Sequence, residues 1–184
     1  MNELKYFALK IKAKVGSILL GKEQKEIISK GFRNIGMQIG QNVNICTNIK
    51  TSEPFLISID DNTTISFDAK IITHDAAMTK VSKGEFTDVF GEVRIGKNCF
   101  IGAGSIILCG VEICDNVVVA AGSIVTHSIQ EENIIVAGNP AKKIGTWDAY
   151  YNKYREKAYN LKKEGRSSVY KEIVHNHSRT IRKY

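Results

Sequence analysis

The chain has 184 residues, a net charge of +7 and 43% hydrophobic residues, which suits one folding unit with a sizeable core. It has no apolar run long enough to span a membrane and no secretory signal pattern, so we expect a cytoplasmic protein. Residues 1–33 carry eight basic and three acidic side chains, residues 34–145 eight and twelve, and residues 146–184 ten and four. The basic ends favour anionic partners, and no nucleic-acid-binding motif accompanies them.

Residues 1–33 are predicted to form an N-terminal helical segment. In the run MNELKYFALKIKAKVGSILLG, lysines alternate with apolar residues in the manner of an amphipathic helix. A helix of this kind can lie on a membrane surface with its apolar side in the lipid. Peripheral contact with the inner face of the membrane, through the basic ends, is therefore an alternative to a purely cytoplasmic location.

A hexapeptide repeat dominates residues 34–145. Its longest run places an aliphatic residue at every sixth position, namely Ile95, Ile101, Ile107, Ile113, Val119 and Val125. A short period that survives for many copies indicates a solenoid in which each repeat supplies one strand and one turn. Three repeats make one coil of a triangular prism, so residues eighteen positions apart, such as Ile95 and Ile113, are predicted to stack.

The repeat is interrupted twice. From Ile45 to Ile59 the spacing is 14 residues, two more than the period allows, and Pro54 lies inside this slip. Residues 75–92 have charges and glycines where aliphatic residues are required, yet the period keeps its phase from Ile59 to Ile95. We predict a loop extruded from the prism at residues 75–92, and long loops in compact domains usually carry function.

The tail, residues 146–184, is predicted to be a basic helical segment. Apolar residues recur there at spacings of three and four and would build one helix face: Trp147, Tyr151, Tyr154, Ala158 and Leu161. An uncapped solenoid end is an exposed sheet edge, so we expect this helix to cover the end of the prism or a neighbouring subunit. A docking role for the tail is the alternative.

The segment VRIGKNCFIGAGSIILCGVEICDNVVVAAGSIVTHSI, followed by IIVAGNPAKKIG, resembles the left-handed β-helix hexapeptide-repeat acyltransferases. The resemblance covers about residues 35–145 and is greatest for the sugar O-acetyltransferase branch, with its maltose, galactoside, capsule and lipopolysaccharide acetyltransferases. It implies a mainly β fold: a left-handed parallel β-helix of hexapeptide repeats, with an extruded loop and N- and C-terminal helices. It also implies a homotrimer that binds acetyl-coenzyme A in the groove between adjacent prisms.

The resemblance assigns the catalytic base to His74, in the segment IITHDAAM where the loop begins. The chemistry agrees, because a hydroxyl attacks a thioester poorly unless a base removes its proton, and histidine is suited to that task near pH 7. The backbone N–H of Ala103 is a candidate donor to the oxyanion that forms. Glu85 aligns with a loop carboxylate of the family and is expected to orient His74, with Asp75 as the adjacent alternative.

The resemblance also implies binding residues. Those for acetyl-coenzyme A are Ala103, Ala121, Thr126, His127, Lys142 and Lys143. The two alanines match small residues beside the pantetheine arm, and the basic residues match positions near the nucleotide end, where a cation suits the phosphate charge. His127 stands where the family usually has lysine. For the acceptor, Asn48 lies near a family position that contacts sugar hydroxyls, and Asp75 is the second candidate.

No metal is expected at the site. A β-helical carbonic anhydrase binds zinc through three histidines, whereas the repeat region contains only His74 and His127, and the four cysteines lack metal-ligand spacing. The favoured hypothesis is an acetyl-coenzyme A-dependent O-acetyltransferase that acts on a sugar or glycan precursor, as in polysaccharide biosynthesis. The alternatives are an N-acetyltransferase of nucleotide-linked amino sugars and a non-enzymatic trimeric scaffold.

Overall fold

The computed structural model describes residues 1–20 and 24–175, so part of the predicted tail, with His177, lies outside the description. The chain divides into two compact units, Met1–Ile144 and the residues from Gly145 onward. The first unit begins with the helices α1 (Glu3–Leu20) and α2 (Gln24–Arg33). Within the described ranges, none of the helices has both the length and the apolar character needed to cross a membrane.

Short strands follow the two helices. They are β1 (Gln38–Ile39), β2 (Asn44–Ile45), β3 (Ile57–Ile59), β4 (Thr64–Ile65), β5 (Lys70–Ile71), β6 (His74–Asp75), β7 (Val89–Phe90), β8 (Val93–Ile95), β9 (Phe100–Ile101), β10 (Ile106–Ile107), β11 (Glu112–Ile113), β12 (Val117–Val119), β13 (Ile124–Val125), β14 (Ile134–Gly138) and β15 (Ala141–Thr146). Most have two or three residues, because each hexapeptide spends the rest of its length on a turn.

Three sheets form the faces of the prism, and the pairs among β1–β5 and β8–β14 in them are parallel. Sheet A has the order β1-β3-β8-β11, sheet B the order β15-β14-β12-β9-β4-β2, and sheet C the order β13-β10-β5. The strand pairs place Ile95 beside Ile113, and β9 beside β12 and β10 beside β13 in the same eighteen-residue register. The predicted mainly β fold, a parallel β-helix of hexapeptide repeats, is thereby confirmed.

The repeat residues fill the interior of the prism. Ile59, Ile65 and Ile101 are fully buried, and the columns above and below them are aliphatic as well. Two of the three corners are crowded: a Cβ added to Gly102 would lie 2.5 Å from the backbone N of Ala121 in the next coil, and one added to Gly96 would lie 2.8 Å from the backbone N of Asp115. Stacking of parallel coils therefore dictates both the aliphatic positions and the small residues that follow them.

Both predicted interruptions are present. Ile45 pairs with Ile65, twenty positions away, so the first coil is two residues longer than an eighteen-residue coil of three hexapeptides. Strand β3 pairs with β8 at an offset of 36 positions, which leaves room for an insertion of one coil's length. The inserted loop is closed by the antiparallel pair β6–β7, in which His74 faces Phe90, and it contains the short helix α3 (Met78–Val81).

Helix α2 caps the N-terminal end of the prism. The Arg33 side chain donates from Nε to the carbonyl of Ile39 at 2.7 Å and from Nη2 to the carbonyl of Gly40 at 2.6 Å. Ser29 Oγ donates to the carbonyl of Val43 at 3.1 Å. These carbonyls belong to the first coil, so α2 satisfies backbone acceptors that would otherwise form an open sheet edge.

The second unit contains α4 (Trp147–Tyr154), α5 (Leu161–Glu164) and α6 (Arg166–His175), with a 3₁₀ turn at Arg155–Lys157. The continuous helix predicted from Trp147 to Leu161 is therefore interrupted. Ala158 adopts an extended conformation, and the Asn160 side chain accepts a hydrogen bond from the N–H of Lys163, which starts a new helix. What the tail covers in the assembled protein stays a prediction.

Candidate active site

His74 lies at the corner after sheet C, where the chain leaves the prism to form the loop. Its Nδ1 is 2.9 Å from Oε2 of Glu53. Because a carboxylate can only accept, the Nδ1 atom carries the proton and the neutral ring presents Nε2 as a free acceptor. The His74 side chain is 41% exposed and that of Glu53 only 14%, so an accessible base is held from behind by a sheltered carboxylate.

Glu53 is itself fixed by two threonines. Thr73 Oγ1 donates to Glu53 Oε2 at 2.7 Å, and Thr51 Oγ1 lies 2.7 Å from Thr73 Oγ1. The backbone N–H of Glu53 donates to Thr51 Oγ1 at 3.0 Å. Since Thr73 is buried and directly precedes His74, the network joins the lengthened first coil to the start of the loop and leaves the carboxylate little freedom to rotate.

The same contacts set the charge states of the pair. The hydrogen bond with Glu53 raises the pKa of His74, partial burial opposes this rise, and the negative charges of Glu53, Asp88 and Asp75 add to it. Hydrogen bonds from Thr73 and His74 lower the pKa of Glu53. A base with a raised pKa binds a proton more firmly, and an ionised Glu53 stabilises the imidazolium that results.

The structure corrects the expected partner of His74. Glu85 is exposed on the loop, and its backbone N–H donates to the carbonyl of Ser82. The β6–β7 pair brings Phe90 against the His74 ring, with 5.8 Å between ring centroids, while residue 85 lies farther out on the loop. Glu53 therefore occupies the orienting position that had been assigned to Glu85.

The sequence pattern did not indicate Glu53, because residues inside the slip do not follow the six-residue spacing. That spacing therefore cannot predict which residues of the next coil lie beside them. A signal was nevertheless present in the sequence. The coil that contains the slip is twenty residues long, so a residue near position 53 stacks on one near position 73. Applying that longer register, instead of eighteen, places Glu53 beside Thr73 and His74.

The two residues assigned to the acceptor have local partners. Asp75 Oδ1 accepts a hydrogen bond from the N–H of Ala77 at 2.8 Å, which fixes the first turn of the loop. Asn48 Nδ2 donates to the carbonyl of Met1 at 3.1 Å, so this side chain holds the start of α1. Contact with an acceptor stays a prediction for both residues.

The residues assigned to acetyl-coenzyme A lie at more than one corner. Ala103 and Ala121 are exposed at the corner between sheets B and C, and they stack, since the N–H of Gly122 donates to the carbonyl of Ala103 at 2.8 Å. Thr126 and His127 follow β13 at the opposite edge of sheet C, the edge at which His74 lies, and their side chains are 2.7 Å apart.

The two lysines differ in their surroundings. Lys143 forms an ion pair with Glu131, whereas Lys142 is exposed beside it, so Lys142 has the more available charge for a phosphate group. Within residues 1–20 and 24–175, no group of three or more histidine, cysteine or acidic side chains is arranged so that it could hold a metal ion.

Comparison with known proteins shows which proteins the chain is similar to. A family model described as the hexapeptide repeat of succinyl-transferase matches residues 92–127. Protein CapG of Staphylococcus aureus is 38% identical over 137 residues, which cover 72% of this chain and 78% of CapG. The galactoside O-acetyltransferase of Escherichia coli K12 is 32% identical over 110 residues, 59% of this chain and 53% of that enzyme.

Among solved structures, a galactoside acetyltransferase in complex with coenzyme A superposes with a TM-score of 0.55 at 21% identity. The match covers 83% of this chain and 86% of that one, so the two share the fold. The repeat, the fold and the similarity to CapG together identify the family. The chain belongs to the hexapeptide-repeat acyltransferases, and it is an acyltransferase.

Proposed function

We propose that the protein is an acetyl-coenzyme A-dependent O-acetyltransferase that acts on a hydroxyl group of a sugar or glycan precursor, with His74 as general base. The observation that carries this proposal is the 2.9 Å contact between His74 Nδ1 and Glu53, because it leaves Nε2 of an accessible ring free to accept a proton. Further support comes from the E. coli relative named for galactoside O-acetylation and from the structural neighbour that binds coenzyme A.

Transfer proceeds in one complex of both substrates. The acceptor hydroxyl donates a hydrogen bond to His74 Nε2, which takes the proton as the hydroxyl oxygen attacks the carbonyl carbon of the thioester. Glu53 stabilises the imidazolium, and a backbone N–H such as that of Ala103 from a second copy of the chain stabilises the tetrahedral oxyanion. When the carbon–sulfur bond breaks, Nε2 returns the proton to the thiolate. The products are the acetyl ester and coenzyme A, and His74 is neutral again.

The placement of these residues supports a homotrimer with shared sites. Within one prism, the Ala103–Ala121 pair lies at the corner before the strands of sheet C, and His74 lies at the corner after them. Six residues separate such corners; fully extended they would span about 20 Å, and even with the turns this exceeds the roughly 3–3.5 Å between reacting atoms. A second copy that lays its alanine corner beside His74 brings the pantetheine arm to the base, and three copies close the ring.

The test combines cofactor binding with turnover in wild type and His74→Ala. Acetyl-coenzyme A at a hundredfold excess over Kd should stabilise both proteins by about 2.7 kcal/mol, seen as a rise in Tm. Thiol release in the presence of sugar acceptors should fall by about 10²–10⁴-fold only in the variant. Equal turnover in the two proteins would contradict the role of His74.

The choice of acceptor separates the alternatives. If amino sugars are acetylated and neutral sugars are not, the enzyme is an N-acetyltransferase, and His74→Ala should cost less because an uncharged amine needs the base less. If acetyl-coenzyme A raises Tm in neither protein, the acetyl donor is wrong and the scaffold hypothesis gains.

A further inference from the structure

Helix α1 uses only one of its sides to pack on the rest of the protein. Tyr6 and Ala13 are buried, and the ring of Tyr6 lies 6.1 Å from that of Phe32 on α2. Leu9 fills the space over Gly31, where an added Cβ would lie 2.3 Å from Leu9 Cδ2. These contacts fix how α1 is rotated about its axis and therefore which residues it presents outward.

The outward side of α1 is an apolar stripe. It consists of Leu4, Phe7, Ile11 and Val15, all of them large side chains and all of them exposed. Their spacings of three, four and four align them along one side of the helix, roughly half a turn from the packed side at 100° per residue. A contiguous exposed stripe of this size on a surface helix marks a site of interaction with an apolar partner.

Cations border the stripe on both sides. At 100° per residue, Lys5 and Lys12 fall along one edge and Lys10 and Lys14 along the other, and all four are exposed. The one acidic residue of this helix, Glu3, is paired with Lys50 at 2.6 Å. The surface is therefore apolar along its centre and positive along both edges.

This pattern fits an anionic lipid surface. Side chains along the centre can enter the boundary between headgroups and acyl chains, while the flanking lysines extend sideways to the lipid phosphates. A soluble partner helix would need the matching arrangement, an apolar centre with acids on both edges, whereas an anionic bilayer offers it everywhere. We propose that α1 docks this protein on anionic membranes through Leu4, Phe7, Ile11 and Val15, with the four lysines at the headgroups.

Docking is independent of acetyl transfer and is tested on the full chain by sedimentation with vesicles. One set is phosphatidylcholine alone and the other is equal parts of phosphatidylcholine and phosphatidylglycerol. Wild type should sediment with the second set and far less with the first, and binding should weaken as salt is raised. Equal behaviour with the two sets, or no sedimentation with either, would overturn the proposal.

Variants locate the surface. The double variant Phe7→Ser with Ile11→Ser should lower vesicle binding about tenfold or more, and replacement of the four lysines by glutamine should abolish the preference for anionic lipid. The double variant Val81→Ser with Phe86→Ser is the matched control, because these two apolar side chains are also exposed, at 74% and 55%, but lie on the loop. Equal loss in the control would point to a general effect of surface hydrophobicity and contradict the assignment.

Two further measurements keep the result interpretable. Thermal melting should be nearly the same in wild type and the serine double variant, since both replaced side chains are exposed. Light scattering should give the same oligomeric mass; if the double variant dissociates, the stripe is an interface between copies and the proposal fails. Acetyl transfer to a soluble acceptor should persist in the variant, so failure of docking and failure of the proposed function give different results.

Discussion

The prism contains a regular part, residues 93–125, and an interrupted part, residues 48–91, and the two contrast sharply. In the regular part every sixth side chain is buried and corners such as Gly102 leave no space beyond the backbone. The interrupted part contains the whole His74–Glu53 network. In a regular coil the inward side chains are all used for packing between stacked coils. The polar network therefore lies in the part of the prism where the eighteen-residue register is interrupted.

The reason is physical. A sheltered carboxylate needs hydrogen-bond donors around it, and a six-residue repeat offers only aliphatic and small side chains to its interior. The lengthened coil supplies Thr51 and Glu53 outside the repeat pattern, and the departing loop supplies Thr73 and His74 beside them. Changes in the two parts should therefore separate stability from activity.

The largest effect is expected from Ile101→Ala in the regular part. Removing a fully buried side chain leaves a cavity between stacked coils and should lower the free energy of unfolding by about 2–5 kcal/mol. Denaturant titration measures the loss, while turnover per folded molecule should stay near that of wild type. Ile106→Ala, on the half-buried outward side of the same coil, should cost less. If Ile101→Ala lowered turnover and left the free energy of unfolding unchanged, the contrast between the two parts of the prism would be wrong.

Gly102→Ala should come next. Its new Cβ would meet backbone atoms of the following coil, 2.5 Å from the N of Ala121 and 2.6 Å from the carbonyl oxygen of Val119, so the coils must separate locally. We expect a loss of about 1–3 kcal/mol in the free energy of unfolding. Gly145→Ala is the control, because an added Cβ there meets no heavy atom within 4 Å. Equal Tm values for the two variants would contradict the crowding.

Glu53→Gln in the interrupted part should lower kcat/KM about tenfold or more, because Gln cannot stabilise the imidazolium. Glu53 raises the pKa of His74, so its loss should also move the acid limb of the pH profile of kcat/KM to lower pH. Glu85→Gln, the matched change on the loop, should move neither quantity. An unshifted limb in Glu53→Gln would show that the carboxylate does not act through His74.

The smallest effect concerns stability against pH. The pKa of His74 is higher in the folded protein than in the unfolded chain, where it is near 6.5, so this group stabilises the fold. Its contribution is fully present at a pH below the unfolded-state pKa and is lost as the pH rises through the folded-state pKa. The lowered pKa of Glu53 gives stability that is complete above its unfolded value and is lost as pH falls through the folded one. The Tm difference between wild type and Glu53→Gln should therefore peak at about pH 5–6. A difference that does not vary with pH would mean that no ion pair forms.

The six-residue period and the resemblance to a family predicted different features of the protein. The six-residue period predicted the sheets, the buried columns and both interruptions, because stacking constrains each repeat directly. The resemblance selected His74, which no local pattern singles out. Glu53 escaped both because its contact with His74 spans a coil that is two residues longer than the eighteen-residue repeat. In the tail, spacing alone predicted one helix, whereas Asn160 starts a second through a side-chain cap that apolar periodicity does not register.

Arg33 and Ser29 on α2 have a consequence for assembly. A parallel coil presents the same row of amide and carbonyl groups to whatever lies above or below it, so an open end would template the addition of another chain. By taking the carbonyls of Ile39, Gly40 and Val43, the two side chains remove that template from the N-terminal end. Helix α2 thus covers the end at which a self-similar stack of coils could otherwise be extended by another chain.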